Sequence, residues 1–458
     1  MESARSGTVL VTPGIASQLR LEIRPASVLR LALLLLIVAN LGRIPVFSAG
    51  DREAPILIND LAVALAVGVA AIAMVDRRRM LIDRVTVAAI VFVGIGASSA
   101  ISSVARFGLS GFELFVSLSY LVRWCMYFCI YIATINVLRA SDANRVWGAY
   151  DAMIVLFAAF GVVQSAFLPG FAQLVYPDSR AYIDWDIQGH RLVSTVLEPN
   201  IAGAMLLIAF LVEMSRLATG VRIPAWRPVL LFVALVCTVS RSSALGLVAG
   251  MMVILFFRGL SKRLLAFACV IGVAVLAALP KLIAIAATYG KFDVSSGGSA
   301  AARVVAWLRA IEIFADHPII GIGFNTLAFV HKKYGWTTIG TGGASFDGGL
   351  LFVAVMTGVC GLAVFLYILT AIARRSLAVW RDLSVTPEHR ALALGALASL
   401  VAICVHSVFV NSLLTTFVME PLWVLWGLVY VIDRSRRKGD VGHTNLAAPP
   451  VPVVSVAR

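Results

Sequence analysis

Residues 228–257 read "PVLLFVALVCTVSRSSALGLVAGMMVILFF", with Arg241 as the single charge between two apolar runs. The run entering the tip, Pro228–Ser240, has about 13 residues and the run leaving it, Ser243–Phe257, about 15; crossing a bilayer as a helix takes roughly 20. Both runs are flanked on their far sides by basic segments, "RIPAWR" (222–227) and "RGLSKR" (258–263). The stretch therefore predicts a short hydrophobic hairpin anchored on one side, whose tip stops below the opposite head groups or reaches them only through tilt and local thinning. An arginine at that depth costs a few kcal/mol unless it is paired or wet, which makes Arg241 a functional candidate.

The rest of the 458-residue chain has the same character. It is 60% hydrophobic and 14% charged, with a mean hydropathy of +0.94, far from the charge content of a soluble domain. Apolar runs recur near 28–48, 56–75, 85–105, 113–138, 147–168, 200–217, 228–240, 243–257, 264–286, 348–373, 391–412 and 414–432. The expected fold is all-α: a polytopic integral membrane protein of about 12 transmembrane helices over 28–433, with a tail at 1–27 and a Pro- and Ala-rich tail at 434–458. The first residues lack the small-residue cleavage site of a secretory signal.

Charge sets the orientation. With the N-terminus inside, roughly two thirds of the 38 Lys and Arg fall in inner segments such as "DRRRMLIDR" (76–84), "ARRSLAVWRD" (373–382) and "DRSRRKGD" (433–440), as positive-inside topology requires. Both termini are then cytoplasmic. The net charge of +14 reads as a topology signal and an attraction to anionic lipid, which argues against a nucleic-acid footprint. All six cysteines lie in apolar spans, with no disulfide framework and no metal spacing, so neither a metal nor a cofactor is expected.

Two connections on the outer side are long, about 169–199 and about 287–347, and long loops in a compact protein are commonly functional. The second contains "SAAARVVAWLRAIEIFADHP" (299–318). On a helix, Arg309, Glu312 and Asp316 share a solvated face, while Val304, Trp307, Leu308, Ile311 and Phe314 share an apolar one. Arg303 sits at the edge of the apolar side, aimed at protein or at lipid head groups. "GIGFN" (321–325) gives a Gly turn without the spacing of a nucleotide-binding loop. In the first loop, Arg191 precedes Glu198-Pro199-Asn200, the predicted start of a helix with Pro in its first turn. Arginines at 191, 241 and 303 on one face, together with that helix N-terminus, suit a phosphate or diphosphate. Within the spans, Arg123 is expected to pair with Asp60 or Asp151, and His406, Asn411 and Glu420 are weaker candidates of the same kind.

Three segments together resemble the O-antigen ligase and O-antigen polymerase superfamily: "RLVSTVLEPNIAG" (191–203), "TVSRSSALGLVAG" (238–250), and "RVVAWLRAIEIFADHPIIGIGFNTL" (303–327) followed by "ASFDGGLLFVAVMTGVCG" (344–361). The likeness spans about 28–432. It implies a GT-C-like membrane fold and metal-independent, inverting glycosyl transfer at the periplasmic face of the bacterial inner membrane. The implied donor is a glycan on undecaprenyl diphosphate. By that resemblance Arg191, Arg241 and Arg303 hold the diphosphate and stabilise it as leaving group, and a base activates the acceptor hydroxyl. The ligases carry a His-Asn pair where this chain has Phe346-Asp347. The resemblance therefore points to polymerisation of O-antigen or exopolysaccharide repeat units, with Asp347 as base and His317 or His331 as alternatives. Membrane lipid and a chain-length regulator are the further partners it implies. Two other classes stay open. A twelve-span transporter usually places its long connection after span six, which here is the short "SRLATGVRIPAWR" (215–227). An O-acyltransferase, or a family member that only binds lipid-linked glycan, would fit the missing histidine.

Overall fold

In the computed structural model, residues 45–47, 56–76, 80–168, 190–266, 299–336 and 346–439 are described, with isolated positions between them. Apart from a short antiparallel pairing of β1 (Pro45–Phe47) with β2 (Ile56–Leu57), the architecture is helical. The helices are α1 (Ile58–Asp76), α2 (Arg84–Phe107), α3 (Gly111–Val137), α4 (Ala143–Phe167), α5 (Pro199–Thr219), α6 (Trp226–Cys237), α7 (Arg241–Arg258), α8 (Ser299–Asp316), α9 (Gly349–Arg381), α10 (Pro387–His406) and α11 (Thr416–Arg437).

Among the described residues, 8 of these helices are long and apolar enough to cross a membrane: α2, α3, α4, α5, α7, α9, α10 and α11. The chain is thus an integral membrane protein by composition and helix length. The expectation of about twelve spans is met only in part. The apolar stretches of α1 and α6 are shorter, and the runs expected at 28–48 and 264–286 fall largely outside the described residues. At 1.5 Å per residue α6 reaches only about 18 Å, well short of a hydrocarbon core of about 30 Å. The short hairpin read from residues 228–257 is thus met in part: α6 is short, whereas α7, at 18 residues, is long and apolar enough to cross.

Helix ends are set by local sequence. Ser110 and Glu113 form a reciprocal capping box at α3, Asp83 accepts from the Thr86 N–H at α2, and Thr386 with Pro387 opens α10. Such caps matter more where water is scarce, because an orphaned N–H in an apolar medium costs several kcal/mol. At the centre α5 and α11 are almost wholly buried, whereas α7 turns most of its surface outward. One side of α7 still comes very close to α10: a Cβ on Gly246 would stand 2.9 Å from the Ala402 carbonyl oxygen. Gly246 and Gly250 thus form a small-residue stripe of the kind that lets membrane helices meet backbone to backbone.

Several charges inside the bundle are paired. Arg123 binds Asp60 at 2.9 Å, and Asp151 instead binds Arg227 at 3.0 Å; Glu213 and Arg216 meet at 2.7 Å within α5. At one end of the bundle Arg375 reaches Asp83 at 2.9 Å and lies over the Tyr430 ring, while Arg436 joins Asp433 and Asp382. These contacts fasten α2, α9 and α11 together at the end opposite the candidate site.

Helix α9 is broken at Gly358 (φ 65°, ψ −169°), and the segment after α8 fills the break. The Ile322 and Gly323 N–H groups donate to the Val355 and Met356 carbonyls at 2.9 and 3.1 Å, and the Val359 N–H donates to the Pro318 carbonyl at 2.7 Å. Arg106 adds a bond to the Gly321 carbonyl at 2.8 Å, and Ser99 and Ser103 bond the carbonyls of Ile320 and Ile322. Irregular backbone inside a membrane protein is tolerated where protein groups satisfy it in this way.

Candidate functional site

The sequence-predicted residues lie at one end of the bundle, where α5, α7 and α9 begin and α6 and α10 end. The segment before α5 is fastened to α4 by one side chain: Gln164 Oε1 accepts from the Val193 and Ser194 N–H groups at 3.0 and 3.1 Å, and Gln164 Nε2 donates to the Arg191 carbonyl at 3.3 Å. Arg191, so fixed, donates through Nε to the Thr238 carbonyl at 2.9 Å and through Nη2 to the Val239 carbonyl at 3.4 Å. Arg191 therefore grips the tip of the α6–α7 hairpin. The tip itself is strained: Val239 has φ 51°, a left-handed conformation that a β-branched residue adopts only when its surroundings enforce it.

Ser240 caps α7, accepting from the Ser243 N–H at 3.3 Å. Arg241 follows as the first helical residue and is exposed. A guanidinium beside a helix N-terminus puts fixed and partial positive charge in one place.

The N-terminus of α5 differs from expectation. Its N–H groups were predicted to be open to a phosphate, but the Glu198 carboxylate accepts from the Asn200 N–H at 3.1 Å and from the Ile201 N–H at 2.7 Å. The chain thus supplies its own anion there, and the start of α7, with Arg241 as its first residue, is the cationic helix end. Burial raises the Glu198 carboxyl, opposed by those hydrogen bonds and by Arg191.

On α8, Arg303 lies on the side turned to the protein, with Ala306, Ala310 and Ile313 buried on the same side. Of the two targets predicted for Arg303, protein or head groups, it meets protein: Nε donates to Asp347 Oδ2 at 3.2 Å. Trp307, one turn on, donates from Nε1 to the Asp347 carbonyl at 2.7 Å. Val304, Leu308 and Ile311 form an exposed apolar stripe between that protein-facing side and the polar Glu312 and Asp316.

Asp347 is framed from beneath as well. Asn411 donates to the Phe346 carbonyl at 2.8 Å and accepts from the Gly348 N–H at 3.0 Å, and the Gly349 N–H donates to the Ser407 carbonyl at 2.6 Å. Burial raises the Asp347 carboxyl above the usual carboxylate range, with Arg303 pulling the other way. The side chain is still 40% exposed, so it is reachable.

The alternatives to Asp347 sit elsewhere. His317 follows the far end of α8, about 20 Å along the helix from Arg303 at 1.5 Å per residue. Its ring packs edge-on against Phe107 at 5.1 Å, and burial together with Arg106 lowers its pKa. His331 is buried against the Leu327 carbonyl at 3.2 Å. Neither joins the cluster around Arg303 and Asp347. Among the described residues no group of three or more His, Cys, Asp or Glu could hold a metal ion.

A buried polar chain went unread in the sequence. Ser240 donates to Asn200 Oδ1 at 2.9 Å and lies 3.0 Å from Ser242 Oγ; His406 Nε2 stands 3.1 Å from the Ser242 and Ser243 hydroxyls, and its Nδ1 2.6 Å from Ser412 Oγ. His406 and Asn411 were visible as polar residues in an apolar context, but serines carry no such signal. Hydroxyls sit readily in membrane helices by bonding the carbonyl four residues back, so their sequence positions do not reveal a network.

Compared with known proteins, residues 228–366 match a family described as O-antigen ligase. The matched region contains Arg241, Arg303, His317 and Asp347 and begins after Arg191. No curated protein matches the chain.

Proposed function

We propose that the chain, whose residues 228–366 match the O-antigen ligase family, transfers glycan from undecaprenyl diphosphate at the periplasmic face of the inner membrane, joining repeat units into O-antigen or exopolysaccharide. The observation that carries this reading is the pairing of Arg303 with Asp347 at 3.2 Å, together with a strained tip that holds Arg241 and is gripped by Arg191. In the proposed reaction an acceptor hydroxyl attacks the anomeric carbon of the donor glycan. The carbon–oxygen bond to the diphosphate breaks, and its electron pair leaves with the phosphate oxygen. Asp347 takes the hydroxyl proton. Arg241, Arg303 and Arg191 stabilise the charge that gathers on the leaving group, the kind of term that dominates many enzymatic rate enhancements.

The ion pair also gives the order of events a physical basis. While Arg303 is bound to Asp347 it suppresses the carboxylate's basicity; a diphosphate that draws Arg303 away returns Asp347 to the raised value that burial imposes. A base of raised pKa is better matched to neutral pH.

Two alternatives are separated by the same experiment. A ligase would use the same donor with a lipid acceptor, and the family's description favours it; Phe346-Asp347 in place of a His-Asn pair favours polymerisation. A transporter could use a broken helix such as α9 as an ion site, but the carbonyls of Val355 and Met356 at this break are already hydrogen-bonded by the Ile322 and Gly323 N–H groups. The test is purified protein in lipid, given undecaprenyl-diphosphate-linked oligosaccharide extracted from the host, with product size read by gel and mass spectrometry. A ladder spaced by one repeat is expected. Transfer only to an added lipid acceptor would mean a ligase, and no reaction would overturn the proposal.

A further inference from the structure

His406 ends α10 and is fully buried, yet its ring spans the boundary between two parts of the site. On the Nε2 side are the hydroxyls of Ser242 and Ser243, each at 3.1 Å, in the first turn of the helix that starts with Arg241. On the Nδ1 side is Ser412 Oγ at 2.6 Å. Ser412 follows Asn411, whose side chain holds the Phe346 carbonyl and the Gly348 N–H on either side of Asp347. Ser240 extends the other end of the chain to Asn200 at the start of α5. A continuous path therefore runs from the start of α5, through the turn bearing Arg241, across the imidazole, to the turn bearing Asp347 and its partner Arg303.

His331, also buried, meets the nearby Leu327 carbonyl through Nδ1. His406 instead meets hydroxyls from two separate elements. A neutral imidazole has one donor and one acceptor, so whichever nitrogen carries the proton, the ring gives a hydrogen to one side and takes one from the other. Small hydroxyls around it pack less apolar surface than Leu or Val would, and a buried polar network of this kind stabilises only when every member is satisfied. Its geometric consequence is a fixed spacing between two turns that sequence places more than a hundred residues apart.

We propose that His406 is a positioning residue that sets the register of the Arg241 turn against the Asp347–Arg303 pair without touching donor or acceptor. This rests on the glycosyl-transfer reading above. Misplacement of reacting groups by about 1 Å can cost on the order of 100-fold in rate, so loss of the bridge lowers kcat while leaving the phosphate contacts that bind donor in place.

The experiment compares His406→Gln, His406→Leu, Ser412→Ala and the His406→Leu/Ser412→Ala double variant with the unaltered chain, each recovered monodisperse in detergent and assayed in lipid with the undecaprenyl-diphosphate-linked oligosaccharide. Expected are a fall in kcat of about 10- to 100-fold for His406→Leu, a KM for donor within about threefold, and partial recovery in His406→Gln, whose amide can still reach the serines of α7. Ser412→Ala lowers kcat more mildly, and the double variant is no worse than His406→Leu alone, because both break one path. A lower melting temperature with kcat per folded molecule unchanged in both His406→Leu and Ser412→Ala overturns this inference and leaves the glycosyl-transfer reading intact. Absence of product from the unaltered chain overturns that reading and this inference with it.

Discussion

At Arg241 a charge that stands out in the sequence becomes the first residue of an apolar helix. A lone guanidinium between two short apolar runs is costly wherever it is not used, and the structure puts it exposed at the first residue of α7, behind a tip strained at Val239 and held by Arg191. Arg241→Ala is expected to abolish product while the protein still inserts and runs monodisperse; normal turnover in that variant would remove the diphosphate clamp. Arg241→Lys should keep only part of the activity, since an ammonium cannot make the paired contacts of a planar guanidinium. Asp347 was reachable only through the resemblance, because an aspartate in a polar loop has no signal of its own. Its carboxyl is raised by burial, so as the proposed base it would be competent above that raised value and lost as pH falls through it. The acid limb of kcat should therefore lie at higher pH than for an exposed aspartate. Asp347→Asn should remove both that limb and most of the activity, and a pH profile unchanged by the substitution would rule Asp347 out as base. His406 and its serines were the least legible part of the site. Partner choice across more than a hundred residues is a tertiary fact, and nothing in local composition encodes it.

Among the elements, the helices easiest to anticipate were those whose length and side-chain pattern are written locally. The hairpin α6–α7 followed from the apolar runs on either side of Arg241, although only α6 is too short to span, and α8 from its amphipathic period. The break in α9 did not, because hydropathy reports side chains and "LLFVAVMTGVCGLAVFLYIL" is apolar throughout; the break is a backbone event, completed by a segment some forty residues earlier. Two glycines make the splice possible. At Gly358 (φ +65°) an added Cβ would lie 2.1 Å from the Ile319 oxygen, and at Gly321 (φ +70°) 2.4 Å from the Val355 oxygen. Gly358→Ala or Gly321→Ala should cost about 1–3 kcal/mol from the backbone conformation alone, with the clash in addition. Gly94→Ala in α2 serves as the control, since a Cβ there meets nothing within 4 Å. Melting of each variant in detergent reads the difference. Equal stability of all three would mean that α9 closes into a continuous helix and that α8 is not tied to it.

For the whole molecule, the two ends of the bundle carry opposite designs. One end is a structural clasp, in which Arg375, Asp83, Asp433, Arg436 and Asp382 pair with one another close to the exposed basic ends of α9 and α11. The other carries Arg191 and Arg241 at the α6–α7 tip and the Arg303–Asp347 pair, linked through the buried His406 path. Charge bias places Lys- and Arg-rich connections in the cytoplasm, so the expected orientation has the clasp inward and the arginine site toward the periplasm, where the proposed diphosphate-linked glycan would have to meet it. Single cysteines test this in a chain whose six native cysteines are replaced by alanine. Leu383→Cys lies in the exposed turn between α9 and α10, and Lys332→Cys in the exposed turn after α8. A membrane-impermeant maleimide applied to intact cells whose outer membrane has been made leaky should label position 332 at once. Position 383 should react only after the inner membrane is opened. The reverse pattern would place the arginines, Asp347 and the relay through His406 in the cytoplasm, and a periplasmic transfer could not be performed by this site.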